Sequence, residues 1–285
     1  MKAKKQMSLT AKELFTNGIT GLPVAIGFGT PRIAGDKGGQ KDATAALENN
    51  CEDEQKAPAE KKEEYGYGIY DKVITNADLE NYFNTGKDRR ITAAPKRIGF
   101  VHCVGSRDEK AGNRYCSKVC CATAVKQACE AKEAFPDAEV FCFYMDLRMF
   151  GRGYEDLYLR AQKEHGVRFI RGRVSEVAED INSQLIVKAE DTLSGKPIKV
   201  TLDLLVLMAG MTNCQAGVKV ANMLSLKKDD DGFFTCKDSI LHLQQSDKKG
   251  IFYAGACTGP KTLPDTLHEA RAAAIAIHNY FKERK

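Results

Sequence analysis

The sequence predicts an α/β fold in which a Rossmann-like, mostly parallel sheet is flanked by helices. From residue 95 onward, short apolar runs such as IGFV at 98–101 alternate with longer segments of helical character. This alternation is typical of strands joined by crossover helices. With 285 residues, 43% of them hydrophobic, the chain can also bury a sizeable core.

The elements can be assigned in order along the chain. Asn76 is expected to cap a helix over 77–83, and a strand over 97–103 precedes a long helix over 116–134. A buried strand, AEVFCFYMD, is followed by the helix GYEDLYLRAQKEHG, which Gly166 should end. Further strands follow to residue 210, and the later, hairpin-like ones form an appendage to the sheet. A short helix, AGVKVANML, then leads to a final strand, glycine turn and Ala-rich helix.

These elements divide the chain into four predicted segments: 1–62, a poorly defined N-terminal segment with a charged linker; 63–95, a Tyr- and Gly-rich connection; 96–212, an α/β unit; and 213–285, a C-terminal segment. In the first segment, Gly27-Phe28-Gly29 resembles the start of a dinucleotide fingerprint. Arg32 stands where its third glycine should be. We interpret this stretch as a glycine-containing loop with room for one short strand.

Charge and hydropathy exclude several classes of function. The net charge is +5, without a basic stripe interleaved with aromatic residues, so nucleic acid is a poor candidate partner. No apolar run reaches the 18 or so residues of a membrane span, and the N-terminus lacks the apolar run of a signal peptide. We therefore expect a cytoplasmic protein that is peripheral to a membrane complex only through partners.

Ten cysteines are many for such a protein, and four of them cluster. The scattered ones are expected to pack as small apolar side chains; they are Cys51, Cys129, Cys142, Cys214, Cys236 and Cys257. The predicted 116–134 helix places Cys116 and Cys120 on one face, with Cys121 about 100° further round. Cys103 arrives from the preceding strand.

Four thiolates at one helix start suit zinc or a [4Fe–4S] cluster. Zinc sites usually use two C-x2-4-C knuckles on loops, which adjacent helical cysteines fit poorly, so iron–sulfur is favoured. The helix dipole would also favour an anionic cluster. A structural zinc site and a redox dithiol remain the alternatives.

Several charged side chains lie close to these cysteines in sequence. Arg114, Lys118 and Lys126 are cations that could stabilise an anionic cluster. Lys126 is the candidate catalytic residue, because it could reach a cofactor edge; a solvated helix lysine is the alternative. His102 is either a residue that tunes the cluster or a packed strand histidine.

Motifs across roughly residues 63–281 resemble the A-subunit (HdrA-like) family of heterodisulfide reductases, which includes the related subunit of quinone-interacting membrane-bound oxidoreductase complexes. The segments that carry the resemblance are YGYGIYDKVITNADLE, FVHCVGSRDEKAGNRYCSKVCCATAVKQA, FCFYMDLRMFGRGYEDLYLRAQ, GVRFIRGRVSEV, EDTLSGK and GACTGPKTLPDT.

The resemblance implies a thioredoxin-reductase-like flavoprotein. Residues 96–212 would be its nicotinamide-domain-like unit, with a [4Fe–4S] cluster bound by Cys103, Cys116, Cys120 and Cys121. Residues 213–285 would be FAD-domain-like, with FAD contacts at Gly255, Ala256, Cys257, Leu263, Pro264, Asp265 and Thr266.

The sequence departs from the family pattern in two places. Ala256 stands where many flavoproteins of this superfamily carry an Asp, and we find no G-x-G-x-x-G strand–turn–helix. The expected fold therefore lacks the N-terminal FAD half, and FAD would be shared with, or completed by, a partner chain.

The expected function is that of an iron–sulfur, flavin-linked electron-transfer subunit, which relays electrons between FAD and the cluster. Other heterodisulfide reductase-like or quinone-interacting oxidoreductase subunits would be its partners. The alternatives are a structural zinc or cluster scaffold and an NAD(P)H-dependent flavin disulfide reductase.

Overall fold

A computed structural model describes residues 63–91, 93–213 and 217–283, together with the backbone of β1 (Val24–Phe28) and of residues 215 and 216. The chain forms two compact units. We call Lys56–Met211 the cysteine unit, and Met1–Gln55 with Thr212–Lys285 the terminal unit. No helix of the described segments is long and apolar enough to cross a membrane.

The cysteine unit alternates strands and helices before ending in an antiparallel meander. In chain order its elements are β2 (Val73–Thr75), α1 (Asn76–Thr85), β3 (Arg97–Val104), α2 (Cys120–Ala134), β4 (Glu139–Tyr144), α3 (Tyr154–Lys163), β5 (Arg168–Arg171), β6 (Val174–Glu179), β7 (Leu185–Asp191), β8 (Lys196–Leu202) and β9 (Leu204–Ala209).

A five-stranded parallel sheet in the order β2-β9-β3-β4-β5 forms the centre of this unit. On one face, Phe100 and Val206 belong to a buried core with Ala124 and Ala128 of α2. On the other face, buried residues such as Phe143 pack with the antiparallel sheet β6-β7-β8. The predicted α/β class, with a parallel sheet and a hairpin-like appendage, is confirmed.

Two predicted helix starts are wrong. Thr75, and not Asn76, caps α1: its hydroxyl accepts a hydrogen bond from Asp78 N, and the Asp78 carboxylate accepts one from Thr75 N. This reciprocal capping box satisfies two backbone donors at once. Asn76 is the first helical residue, and its Oδ1 instead accepts a hydrogen bond from Ala209 N.

The long helix α2 begins at Cys120 rather than at residue 116. Lys118 has a φ of +64°, which a right-handed helix excludes, and Val119 N bonds back to the Ser117 carbonyl. Cys116 therefore lies in the loop before the helix, and the predicted shared helix face of Cys116 and Cys120 does not exist. Gly166, by contrast, follows the end of α3 with a φ of +63°, as expected of a glycine that ends a helix.

The terminal unit contains β1, α4 (Gln215–Leu224), β10 (Ile251–Gly255), a 3₁₀ turn (Ala256–Thr258) and α5 (Leu263–Lys282). β1 and β10 pair in parallel, with Val24 opposite Ile251 and Phe28 opposite Gly255. The predicted short N-terminal strand and the predicted C-terminal strand, glycine turn and helix are confirmed. Gly29 and Arg32, which complete the fingerprint-like stretch, lie outside the described residues.

Candidate cofactor sites

The cysteine site begins where β3 leaves the sheet. Cys103 has a φ of +60°, and the pairing register between β3 and β9 shifts between Val101 and Val104. Arg107 and Lys118 also have positive φ, at 53° and 64°. Non-glycine residues rarely adopt this conformation, and such strained backbone tends to occur at functional sites. Strained residues are thus concentrated on the segment that carries Cys103 and Cys116.

Hydrogen bonds fold the loop after β3 back toward the end of β9. Tyr115 donates its hydroxyl to the Met211 carbonyl at 2.8 Å, and Ser117 Oγ accepts from Met211 N at 2.8 Å. Gly210 N donates to the Val104 carbonyl at 2.8 Å. The segment 209–211 therefore ties the end of β3 to the residues on either side of Cys116.

The four clustered thiols influence one another's protonation. Cys103, Cys120 and Cys121 are buried and Cys116 is half-buried. Burial raises the pKa of Cys103 to about 11, and the neighbouring Cys121 and Cys116 contribute to the rise. The Cys120 thiol hydrogen-bonds the Cys121 sulfur, which raises the pKa of Cys120 and lowers that of Cys121. The structure thus brings all four predicted ligands into one neighbourhood.

This neighbourhood supplies sulfur donors, the ligand type that iron–sulfur clusters and zinc share. Among the described residues, no group of three or more His, Cys, Asp or Glu side chains is gathered closely enough to hold one metal ion. The argument that these residues could bind a cluster therefore depends on their four sulfur donors and on the strained loop that carries two of them. It does not depend on side chains already arranged around a single metal ion.

Arg107 is the cation that contacts this site, and the sequence reasoning missed it. Its guanidinium forms a bidentate ion pair with Asp146, with Nη2 to Oδ2 at 3.1 Å, and also interacts with the Cys103 sulfur. Asp146 follows β4, whose carboxyl end lies beside that of β3. An arginine four residues after Cys103 in the same loop was the available signal.

The three cations named from the sequence are more exposed. Arg114 and Lys118 are exposed, and Arg114 pairs with Glu109 at 3.8 Å. Lys126 is 49% exposed, and its Nζ lies 2.8 Å from Glu130 and 3.4 Å from Glu80. Burial opposes charge on Lys126, but the two carboxylates raise its pKa. It is a firmly protonated cation, and its catalytic role stays a prediction.

The glycine turn of the terminal unit is held by an ion pair that the sequence reasoning also missed. Gly255 has a φ of +84° and its N–H donates to Glu269 Oε2 at 3.0 Å. Lys261 Nζ lies 3.1 Å from Glu269 Oε1 and donates to Thr258 Oγ1 at 2.7 Å. Gly259 has a φ of +135°, which favours glycine. Lys261 and Glu269 thus fix the turn against α5.

The predicted flavin-contacting residues lie on this turn and on the first turn of α5. Asp265 accepts a hydrogen bond from Thr262 N and so completes a capping box, with Leu263 and Pro264 opening the helix. Cys257 is buried, and burial raises its pKa to about 12. The structure places Gly255, Ala256, Cys257, Leu263, Pro264, Asp265 and Thr266 within one short strand–turn–helix segment. Their contact with a flavin stays a prediction.

Comparison with solved structures defines the class of fold. Thioredoxin reductases from T. acidophilum and Lactococcus lactis each match 79% of this chain with a TM-score of 0.50, at 15% and 17% sequence identity. The match covers 60% and 61% of those chains. The protein therefore has a thioredoxin-reductase-like α/β fold.

Comparison with curated proteins identifies the family, although no family model matches the chain. The chain is 45% identical over 221 residues to an iron–sulfur A subunit of the CoB–CoM heterodisulfide reductase of Methanopyrus kandleri. It is 45% identical over 224 residues to the corresponding iron–sulfur A subunit of Methanocaldococcus jannaschii. These alignments cover 75% and 76% of this chain but 34% of each relative.

The resemblance predicted from the motifs is therefore confirmed: this chain is a member of the heterodisulfide reductase A-subunit family. It spans about a third of the length of the curated relatives that it matches.

Proposed function

We propose that this chain is an iron–sulfur, flavin-linked electron-transfer subunit whose [4Fe–4S] cluster is bound by Cys103, Cys116, Cys120 and Cys121. The observation that supports the proposal is the mutual effect of these thiols on one another's pKa, although they come from three places: the end of β3, the loop before α2 and the first turn of α2. The names of the relatives, which describe an iron–sulfur subunit, support it.

The surroundings of the thiols suit an anionic group. Val119, at the start of α2, makes no side-chain cap, so the first-turn amides and the helix dipole remain available to stabilise negative charge. Arg107 adds a cation next to Cys103. Cys121 already favours the thiolate form, because the thiol of Cys120 and the imidazole of His102 both stabilise its charge. Cys121 is thus prepared for thiolate ligation, whereas Cys103 and Cys120, whose pKa values are raised, lose their protons when the cluster binds.

We further propose that FAD binds at the glycine turn of the terminal unit and that a partner chain completes its site. Gly255 and Gly259 have positive φ values, and glycines of this kind allow backbone to approach a ligand closely; α5 begins shortly after them. Helix N-termini of this kind are favourable positions for polar or anionic cofactor groups. When bound, a flavin exchanges electrons in pairs or singly and a cluster exchanges them singly, so the two together can divide an electron pair.

The relatives suggest where the electrons go. One of them, from Methanococcus maripaludis, is named as the A subunit of an H2/formate:CoB-CoM heterodisulfide,ferredoxin reductase. We propose that this chain likewise works as one of several oxidoreductase subunits. Its electrons would pass to a partner that reduces a disulfide or a related acceptor.

One observation favours a rival function. The hydrogen-bonded pair of Cys120 and Cys121, in which one thiol is acidified, resembles the electrostatics of a redox-active dithiol. Such a dithiol would use two thiols and leave Cys103 and Cys116 without a role. The cluster uses all four.

Electron exchange between cluster and flavin tests the proposal. The full chain, purified without oxygen and reduced with dithionite, is desalted and mixed with oxidised FAD while its EPR signal and flavin absorbance are followed. We expect the signal of a reduced cluster to disappear as flavin is reduced, at a rate that saturates with FAD concentration. Saturation is expected only at high FAD concentration, because a partner chain completes the site. A rate that stays linear up to the solubility limit of FAD would contradict a flavin site on this chain, and the absence of any reducible cluster would contradict the whole proposal.

A further inference from the structure

His102 is a buried histidine whose ring nitrogens make no well-formed hydrogen bond within the described part of the chain. Its side chain lies in β3 and is 7% exposed. Neither Nδ1 nor Nε2 makes a hydrogen bond of good geometry to another described residue. Burying such groups without good hydrogen bonds is unfavourable. A neutral imidazole always carries one N–H donor, and the interaction of this ring with the Cys121 sulfur, a proposed ligand, falls short of a well-formed hydrogen bond.

The position of the ring shows where an acceptor would lie. Side chains alternate along a strand, so His102 faces the same side of the sheet as Ile98 and Phe100. That side packs against α2, whose first buried residue is Cys120. The His102 ring lies 6.5 Å from the ring of Tyr144 and is close enough to Cys121 to lower the pKa of that thiol. The imidazole donor therefore lies next to the proposed ligands.

We propose that the imidazole N–H of His102 donates a hydrogen bond to a sulfur atom of the bound cluster and thereby raises the cluster's reduction potential. This inference rests on the proposed function, because it requires the cluster. Hydrogen bonds to the sulfurs are one of the ways in which proteins set the potential of an iron–sulfur centre. The reduced cluster carries one more negative charge than the oxidised one, so it accepts the same hydrogen bond more strongly.

The test compares reduction potentials among variants of the full chain. His102→Phe keeps an aromatic ring beside Tyr144 but removes the N–H, and His102→Gln keeps an N–H donor. We expect H102F to disfavour reduction about tenfold, which is about 59 mV for a one-electron couple. H102Q should recover at least half of that shift. Iron content is measured on each variant, because a purely structural role for His102 would lower iron content without moving the potential of the clusters that remain.

His165 provides the matched control. It is a half-buried histidine, placed 4.0 Å from Glu133 near the far end of α2. Glu133 lies about 20 Å along that helix from Cys120, at 1.5 Å per residue. His165→Gln should leave the potential unchanged. An H102F potential equal to that of the wild type, with full iron content, overturns the inference while leaving the proposed function intact.

A measurement on the unmodified protein covers the case in which H102F does not load a cluster. The wild-type chain is labelled with ¹⁵N-histidine and reduced, and pulsed EPR is used to detect nitrogen coupled to the cluster. We expect one weakly coupled histidine nitrogen, lost or altered in H102Q. The absence of histidine coupling in a cluster-loaded wild type overturns the inference. A wild type that holds no cluster instead contradicts the proposed function.

Discussion

A methyl group added at Gly210 should disturb the cysteine site without replacing any of the proposed ligands. Gly210 is buried at the end of β9. A Cβ there would lie 2.9 Å from Ser106 Cβ, 3.0 Å from Ser117 Oγ and 3.1 Å from the Gly105 carbonyl. Ordinary van der Waals separations between carbon atoms are about 3.5–4.0 Å, so Gly210→Ala must displace Ser106 by about half an ångström, and the Ser117 side chain and the Gly105 carbonyl must also shift slightly.

The loss of stability in Gly210→Ala can be estimated from other cases in which a packed interior is overfilled. Extra methyl groups in packed interiors cost about 1–3 kcal/mol. In a unit of this size, each kcal/mol lowers the unfolding midpoint by about 2–4 °C. The displaced segments are those that follow Cys103 and Cys116, so G210A should also lose most of its bound iron. Thermal unfolding and iron analysis of the same preparation measure both effects.

Gly99→Ala is the matched control. Its Cβ would lie 2.4 Å from Leu202 Cδ1 and 3.2 Å from Leu205 Cδ1, in the core beneath β3 and away from the cysteines. We expect G99A to lower the unfolding midpoint as well but to retain its iron. Equal iron content in G210A and the wild type, or equal iron loss in both variants, would refute the reasoning that Gly210 maintains the spacing of the two ligand-bearing segments.

Three further predictions concern other parts of the account. Arg107→Met should change the free energy of unfolding by at most about 1 kcal/mol, because the ion pair of Arg107 with Asp146 is partly exposed. The same variant should lower the cluster's reduction potential in EPR-monitored titrations, because it removes the cation next to Cys103. A large loss of stability with an unchanged potential would show a structural role instead. Thr262→Ala should destabilise α5 by about 1 kcal/mol in thermal unfolding, with Thr262→Ser restoring the cap, and equal midpoints for the two variants would argue against the cap. Cys142 should resist alkylation in the folded protein, because burial raises the pKa of its thiol, and rapid labelling detected by mass spectrometry would contradict its assignment as a packing residue.

The parallel sheet was predictable because its strands are continuous apolar runs with clear boundaries. Leu204–Ala209 is buried along almost its whole length, and such a run in a βα-rich chain indicates a central strand. The helix starts were less predictable, because they depend on caps and single backbone conformations. Nothing in the local sequence around Lys118 indicates its positive φ, because a lysine is not a residue that favours this conformation.

The candidate sites were likewise predictable only in part. Clustering alone identified Cys103, Cys116, Cys120 and Cys121, because four cysteines in nineteen positions stand out against a background of packing thiols. The polar residues around the two sites did not stand out, because their partners are distant in sequence. Arg107 meets Asp146 across 39 positions.

Lys261 and Glu269 are eight positions apart, and an ordinary salt bridge between helix and loop leaves no distinctive pattern. Only the folded chain shows which charged pairs lie at a site.

The most direct test of the central claim is the metal content of the full chain purified without oxygen. The account predicts about four iron and four sulfide per chain in the wild type, with most of both lost in Cys116→Ser and in Cys120→Ser and retained in Cys129→Ser. Stoichiometric zinc without iron, or full iron retention in the Cys116 and Cys120 variants, would contradict it.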